Sequence, residues 1–198
     1  MMIKRGIKTI LTPPLSGFLR ITASLREGAE RIYAHAFLAA TLREPLPASV
    51  IVLGKVSIHG SGRVHIGENV LLYPDVHLET QGNARIELGD GVVISRGTHI
   101  VALAGVSIGK GSMIGEYTSI RDANHTRDPD RSIRDSGHIA KPIKVGQEVW
   151  LGRAVAVLGG VHIGDKATVG ANAVVTRDVA EGATVAGIPA MPISPRVG

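Results

Sequence analysis

Val145, Leu151, Val157, Ile163, Val169 and Val175 stand six apart without a break, and glycine follows four of them at once: Gly146, Gly152, Gly164 and Gly170. The position four after each is small or branched: Val149, Val155, Val161, Ala167, Ala173 and Val179. A period of six is neither the 3.6 of a helix nor the alternation of a simple strand. Short repeats of this kind mark solenoids, whose units bury their apolar face only against their neighbours. The beat reaches upstream in blocks of three: Ile66, Leu72 and Leu78, then Leu88, Ile94 and Ile100, then Ile108, Ile114 and Ile120, with Val52 and Ile58 opening the series. Three hexads per block predict a triangular coil, with one short strand per side stacked in parallel on the coil below. The spacing slips to ten residues between Leu78 and Leu88 and to eight between Ile100 and Ile108, which reads as corner insertions. Each aliphatic residue, and the small one four later, is expected to point inward. The glycine after the aliphatic is expected to relieve the backbone at the corner.

Composition fits such a core. Of 198 residues, six are aromatic and 25 are glycine, which suits many thin aliphatic layers better than a few large rings. No cysteine is present, so disulfide and thiolate chemistry are excluded. The formal charge is +5, but no Lys/Arg block or aromatic–basic interleaving accompanies it, which argues against nucleic acid. No apolar run reaches membrane-spanning length. The basic start carries no small-residue cleavage pattern and is expected to be retained, in a cytoplasmic chain.

Three regions follow: an N-terminal helical segment over 1–49, the solenoid over 50–190 and a tail over 191–198. In the first, Thr12-Pro13-Pro14 predicts a helix start. Leu15, Phe18, Leu19, Leu25, Ile32, Tyr33, Ala36 and Phe37 recur at helical spacing, and Pro45 and Pro47 close the segment. Two readings stand: a cap over the open end of the solenoid, or an amphipathic anchor (residues 1–40) with Lys4, Arg5 and Lys8 facing anionic lipid at the inner membrane face. In the solenoid, Ile120 to Val145 spans 25 residues where the beat expects six. Residues 122–142 are therefore a protruding loop, and a long charged loop in a small domain is usually functional.

Four strings, Lys141–Gly152 (KPIKVGQEVWLG), Gly160–Asp165 (GVHIGD), Gly170–Asp178 (GANAVVTRD) and Val185–Ala190 (VAGIPA), together with Asn124-His125, resemble the hexapeptide-repeat acyltransferases. Within that family they are similar to the sugar O-acetyltransferases, which include maltose and galactoside acetyltransferases and enzymes that modify bacterial surface polysaccharides. The resemblance is strongest over 86–193 and absent over 1–49. It implies a mainly β fold, a left-handed parallel β-helix with an N-terminal helical segment and one protruding loop. It also implies acetyl-CoA as donor, a sugar or glycan hydroxyl as acceptor, and a homotrimer with intersubunit sites.

Acetyl transfer from a thioester to an alcohol needs a base, donors for the oxyanion and a channel for the carrier. His125 matches the family's catalytic histidine, and imidazole, with an ordinary pKa of about 6.5, suits the task. Asp122 and Asn124 either orient the ring or the sugar or simply form the turn. Ser95 stands near the spot where galactoside and maltose enzymes carry a substrate-binding asparagine, and residues 1–49 hold no counterpart of their acidic substrate contact, so the expected acceptor is a nucleotide-sugar, a lipid-linked sugar or a polysaccharide repeat unit. The resemblance places the oxyanion donor at the backbone N–H of Arg153, after Gly152. Trp150, the only tryptophan, packs against the pantetheine arm or contacts a neighbouring subunit. Ala171, Thr176 and Arg177 match the cofactor path, and Arg177 suits a phosphate. Met191 and Ser194 stand near positions where several relatives carry basic residues, leaving Arg196 as a substitute. Competing readings are a xenobiotic O-acetyltransferase, a non-catalytic trimeric scaffold, and a metal enzyme like the γ-class carbonic anhydrases. The last needs three converging histidines. His125 and His138 are thirteen apart in the loop, and His99 and His162 lie in different coils, so no metal is expected.

Overall fold

The computed structural model describes residues 2–193, with the side chains of residues 2–6 and 8 outside that description. The expectations for Lys4, Arg5, Lys8, Ser194 and Arg196 therefore lie outside the described residues. Beyond two helices the chain winds as a left-handed parallel β-helix whose coils present three sheets of eight, six and five strands. The first face carries Ile51–Val52, Leu71–Leu72, Val93–Ile94, Met113–Ile114, Trp150–Leu151 and Thr168–Val169, then Thr184–Ala186. The second runs from Val56–Gly60 through Val76–Thr80, His99–Ala102, Ser119–Arg121 and Ala156–Leu158 to Val174–Val175. The third runs from Val64–Ile66 to His162–Ile163.

The six-residue beat is the register of these faces. Leu72, Ile94, Ile114, Leu151, Val169 and Val185 pair in sequence up the first face, and all are buried. Leu78, Ile100, Ile120, Val157 and Val175 do the same on the second face. The small residues four later, Val149 to Val179, close the interior. Burial of each large aliphatic side chain is worth roughly 1.5–3 kcal/mol, so the prism is held by many equal layers. Ile58, at the open end, is only half-buried.

Three expectations are revised. The glycine after the aliphatic is not the strained corner residue. Positive φ falls two positions later, at Glu148, Ala154, Lys166 and Asn172. The glycines instead let coils touch: a methyl group at Gly109 would lie 2.5 Å from the Gly146 carbonyl oxygen, and one at Gly152 would lie 2.7 Å from the Ala171 nitrogen. The first helix, α1, runs Met2–Ile21 with Pro13 and Pro14 inside it rather than at its start; it continues across them with two ladder donors missing. The second, α2, spans Ala23–Thr41 and reaches the first coil by burying Leu38, with Ala34 packed beside it. Leu15, Phe18, Leu19, Leu25, Ile32, Tyr33 and Phe37 stay exposed, so the cap is one patch of α2 and not the whole apolar stripe. Met191–Pro192, at the start of the tail, pairs antiparallel with Val185–Ala186.

Gly109→Ala is expected to lower stability by about 1–3 kcal/mol, as overpacking does. Gly28→Ala, with nothing near its new methyl, is expected to raise helix stability by up to about 1 kcal/mol. Thermal unfolding of the two variants checks the contrast.

Candidate active site

The protruding segment is an antiparallel hairpin, Ala123–His125 against His138–Ala140. It leaves the coil at the end of the second face and returns to begin the third. Its base stacks on the next coil, where the Gly160 N–H donates to the Lys141 carbonyl at 2.9 Å. A methyl group at Gly159 would meet the Asp122 carbonyl oxygen at 2.5 Å, so the corner below the hairpin must be glycine.

Asp122 ties this base to the coil above. Its carboxylate accepts hydrogen bonds from the N–H groups of Leu103 (2.8 Å), Ala104 (2.7 Å) and Gly105 (2.7 Å), and its side chain is buried. These three donors lie in the two-residue slip between Ile100 and Ile108. Asp122 is therefore an internal anchor whose two carboxylate oxygens both accept from the coil above. Asn124 is exposed on the hairpin and lines a small pocket with Asp122, Ile139, Lys141 and Gly159.

His125 is exposed and pairs across the hairpin with His138, their ring centroids 4.2 Å apart. Thirteen residues of sequence hid this pairing, which antiparallel strands create. The imidazole thus stands on a two-stranded support outside the prism.

The remaining candidates fall into two groups. Trp150 projects from the first face, 57% exposed, directly beneath Met113, 53% exposed. With Ile51, Leu71 and Val93 they make an outward apolar column. Gly152, Arg153 and Ala171 follow at the corner between the first and second faces. There the Gly152 N–H donates to the Val169 carbonyl and the Ala154 N–H to Glu116, both at 2.8 Å; the Arg153 N–H between them is not among these coil-stacking donors. The Arg153 side chain leans on the coil above, 3.7 Å from Glu116 and over the Tyr117 ring at 5.5 Å. Glu116 and Tyr117 are neighbours that sequence reading missed, because they stand 36 or 37 positions earlier. Ser95 shares this corner two coils higher: the Ser95 N–H donates to Ile114 and the Gly115 N–H to Leu151. Thr176 and Arg177 sit elsewhere. They are exposed just past Val175 on the second face, one coil beyond the Leu158–Gly159 rung on which the hairpin base rests. Within one chain the structure therefore gathers Trp150, Gly152, Arg153 and Ala171 along one edge, and His125, Asn124, Thr176 and Arg177 along another.

A family model described as bacterial transferase hexapeptide (six repeats) matches residues 142–177. An Escherichia coli K12 protein whose name assigns it to O-acetyl transfer in lipopolysaccharide biosynthesis, WbbJ, is 32% identical over 141 residues, covering 67% of this chain and 72% of its own. A galactoside O-acetyltransferase of Lactococcus lactis is 30% identical over 126 residues, covering 64% and 60%. Among solved structures, the N-acyltransferase AntD of Bacillus cereus, in complex with dTDP and 3-hydroxybutyryl-CoA, superposes with a TM-score of 0.66 at 20% identity, over 75% of this chain and 81% of that one.

Asp122→Ala would remove three hydrogen bonds to a charged, buried acceptor, from the half-buried Leu103 and Gly105 and the exposed Ala104, each worth about 1–3 kcal/mol. We expect a loss of about 3 kcal/mol or more in denaturant unfolding, and a wild-type midpoint would show that the carboxylate is not the anchor.

Proposed function

Because this chain belongs to the hexapeptide-repeat acyltransferases, in their sugar O-acetyltransferase branch, we propose that it moves an acetyl group from acetyl-CoA to a sugar hydroxyl, with His125 as general base. The observation that carries this reading is His125 itself, held outside the coil on a two-stranded arm while Trp150, Gly152 and Arg153 lie on another side of the prism. The imidazole takes the hydroxyl proton as the sugar oxygen attacks the thioester carbonyl. The tetrahedral oxyanion is held by the Arg153 N–H, where a fixed donor is most effective. The carbon–sulfur bond then breaks, and the departing thiolate recovers the proton from the imidazolium. Trp150 packs the pantetheine arm, Gly152 and Ala171 admit it closely, and Thr176 and Arg177 contact its polar end.

The two edges meet when a second copy presents its Trp150 face to the hairpin of the first. The exposed column from Ile51 to Trp150 supplies an apolar surface for that contact, and a closed ring of three copies repeats it without loose ends. The acceptor is a sugar of surface polysaccharide or lipopolysaccharide synthesis, in keeping with the relatives' names. No helix among the described residues is long and apolar enough to cross a membrane. The exposed Ile10, Leu11, Leu15 and Phe18 of α1 suit shallow contact with the cytoplasmic membrane surface, where lipid-linked acceptors are built.

His125→Ala is expected to lower turnover by roughly 10²–10⁴-fold with acetyl-CoA affinity retained; unchanged turnover rejects His125 as base. Mixing His125→Ala subunits with inactive Arg153→Pro subunits is expected to restore part of the activity, because some mixed interfaces are intact. No recovery from subunits shown to exchange, or a monomer by light scattering, argues against the shared site. For the membrane contact, Leu11→Asp with Phe18→Asp is expected to reduce co-sedimentation with anionic vesicles at least fivefold; equal sedimentation counts against α1 as the contact.

A further inference from the structure

The second face carries a second group of chemistry-bearing side chains, on the strands stacked before Ser119–Arg121, from which the hairpin departs. His77 and Glu79 are two apart in one strand, so both project from the same side of the sheet. His99 stands directly beside His77 in the next strand. The ligand atoms of His77, Glu79 and His99 all lie within 4.8 Å of one another. His77 Nε2 is 3.7 Å from Glu79 Oε2, and the His77 and His99 rings meet edge to face with centroids 4.3 Å apart. We propose that His77, Glu79 and His99 form a binding site for one divalent first-row transition ion of the zinc class.

Three observations carry this. First, the His99 Nε2 is buried and has no hydrogen-bond partner among the described residues. A buried ring nitrogen normally finds one, and a metal ion satisfies it. Second, Glu79 is already oriented: the Gln81 side-chain amide donates to its Oε1 at 2.9 Å, leaving Oε2 turned toward His77. Such outer hydrogen bonds are what fix metal ligands. Third, the strands are locked in the ladder, so the ligands need only small side-chain rotations to close to the spacing of about 3.3 Å that a tetrahedral ion with Zn–N near 2.0–2.1 Å requires.

Two imidazoles and one carboxylate favour zinc, cobalt, nickel or copper over magnesium or calcium. Three protein ligands leave a fourth position for water. His59 stacks on the far side of His77 at 4.5 Å and stiffens that ring. Arg121, on the following strand, adds positive charge near Glu79 and His99 and weakens affinity without occupying the site. Sequence reading set His99 apart because the slip of four residues after Leu78 hides its alignment with His77.

The test uses the full chain without an affinity tag, dialysed against EDTA and titrated with Co²⁺ by visible absorption and with Zn²⁺ by calorimetry. One ion per chain is expected, with a visible band of tetrahedral or five-coordinate cobalt. His77→Ala, His99→Ala and Glu79→Gln should each weaken binding at least tenfold while far-ultraviolet circular dichroism stays unchanged. Glu79→Gln keeps the side-chain shape should either alanine variant misfold. His138→Ala, which breaks up the other close histidine pair, should leave binding intact. Absence of saturable binding by the wild type, undiminished binding by a folded Glu79→Gln or His99→Ala chain, or loss of the ion in His138→Ala instead would overturn the proposal.

Discussion

Coil-on-coil stacking is the constraint from which everything else follows. Each strand is two to five residues long and could not persist alone. It exists because its backbone groups bond to the coils above and below, and because an aliphatic layer fills the prism at each level. The glycines enforce the spacing: at Gly109, Gly115 and Gly152 any side chain would strike the next coil's backbone. The interior is therefore mostly aliphatic, its buried Thr98, Ser112 and Thr118 hydroxyls turned onto the carbonyls of Gly115, Gly146 and Gly152, and the candidate site residues lie on a face, at a corner or on an insertion.

The coil register could be read from residue spacing because the interior admits only one kind of residue at each sixth position. Val145 to Val175, and the earlier blocks back to Ile66, name the buried layers correctly. What the spacing could not show were relations between coils. The purpose of Gly146 and Gly152 depends on which atoms lie beneath them. The partners of Asp122 lie 17 to 19 positions upstream. The meeting of His77 with His99, and of Arg153 with Glu116, depends on the exact number of residues each corner inserts. The helical segment shows the opposite limit. Its apolar period is plain in the sequence, but the period does not say that Leu38 and Ala34, rather than Phe18 or Leu25, touch the prism.

The candidate site illustrates how a solenoid divides labour. A rigid edge holds Gly152, Arg153 and Ala171 in fixed positions, while the hairpin reaches beyond the prism. The hairpin emerges at one corner and the edge lies at another, so on the proposed function a lone chain holds two halves that face apart and assembly is part of the chemistry.

Asp122 gives this arrangement an unexpected dependency. The two extra residues after Ala102 look like a tolerated surface irregularity, yet they supply the donors that grip the root of the arm bearing His125. The bulge and the arm form a single mechanical module distributed over neighbouring turns. Anyone transplanting the arm onto another scaffold must move both pieces, since a regular turn in place of the bulge would leave the arm without its hinge pin.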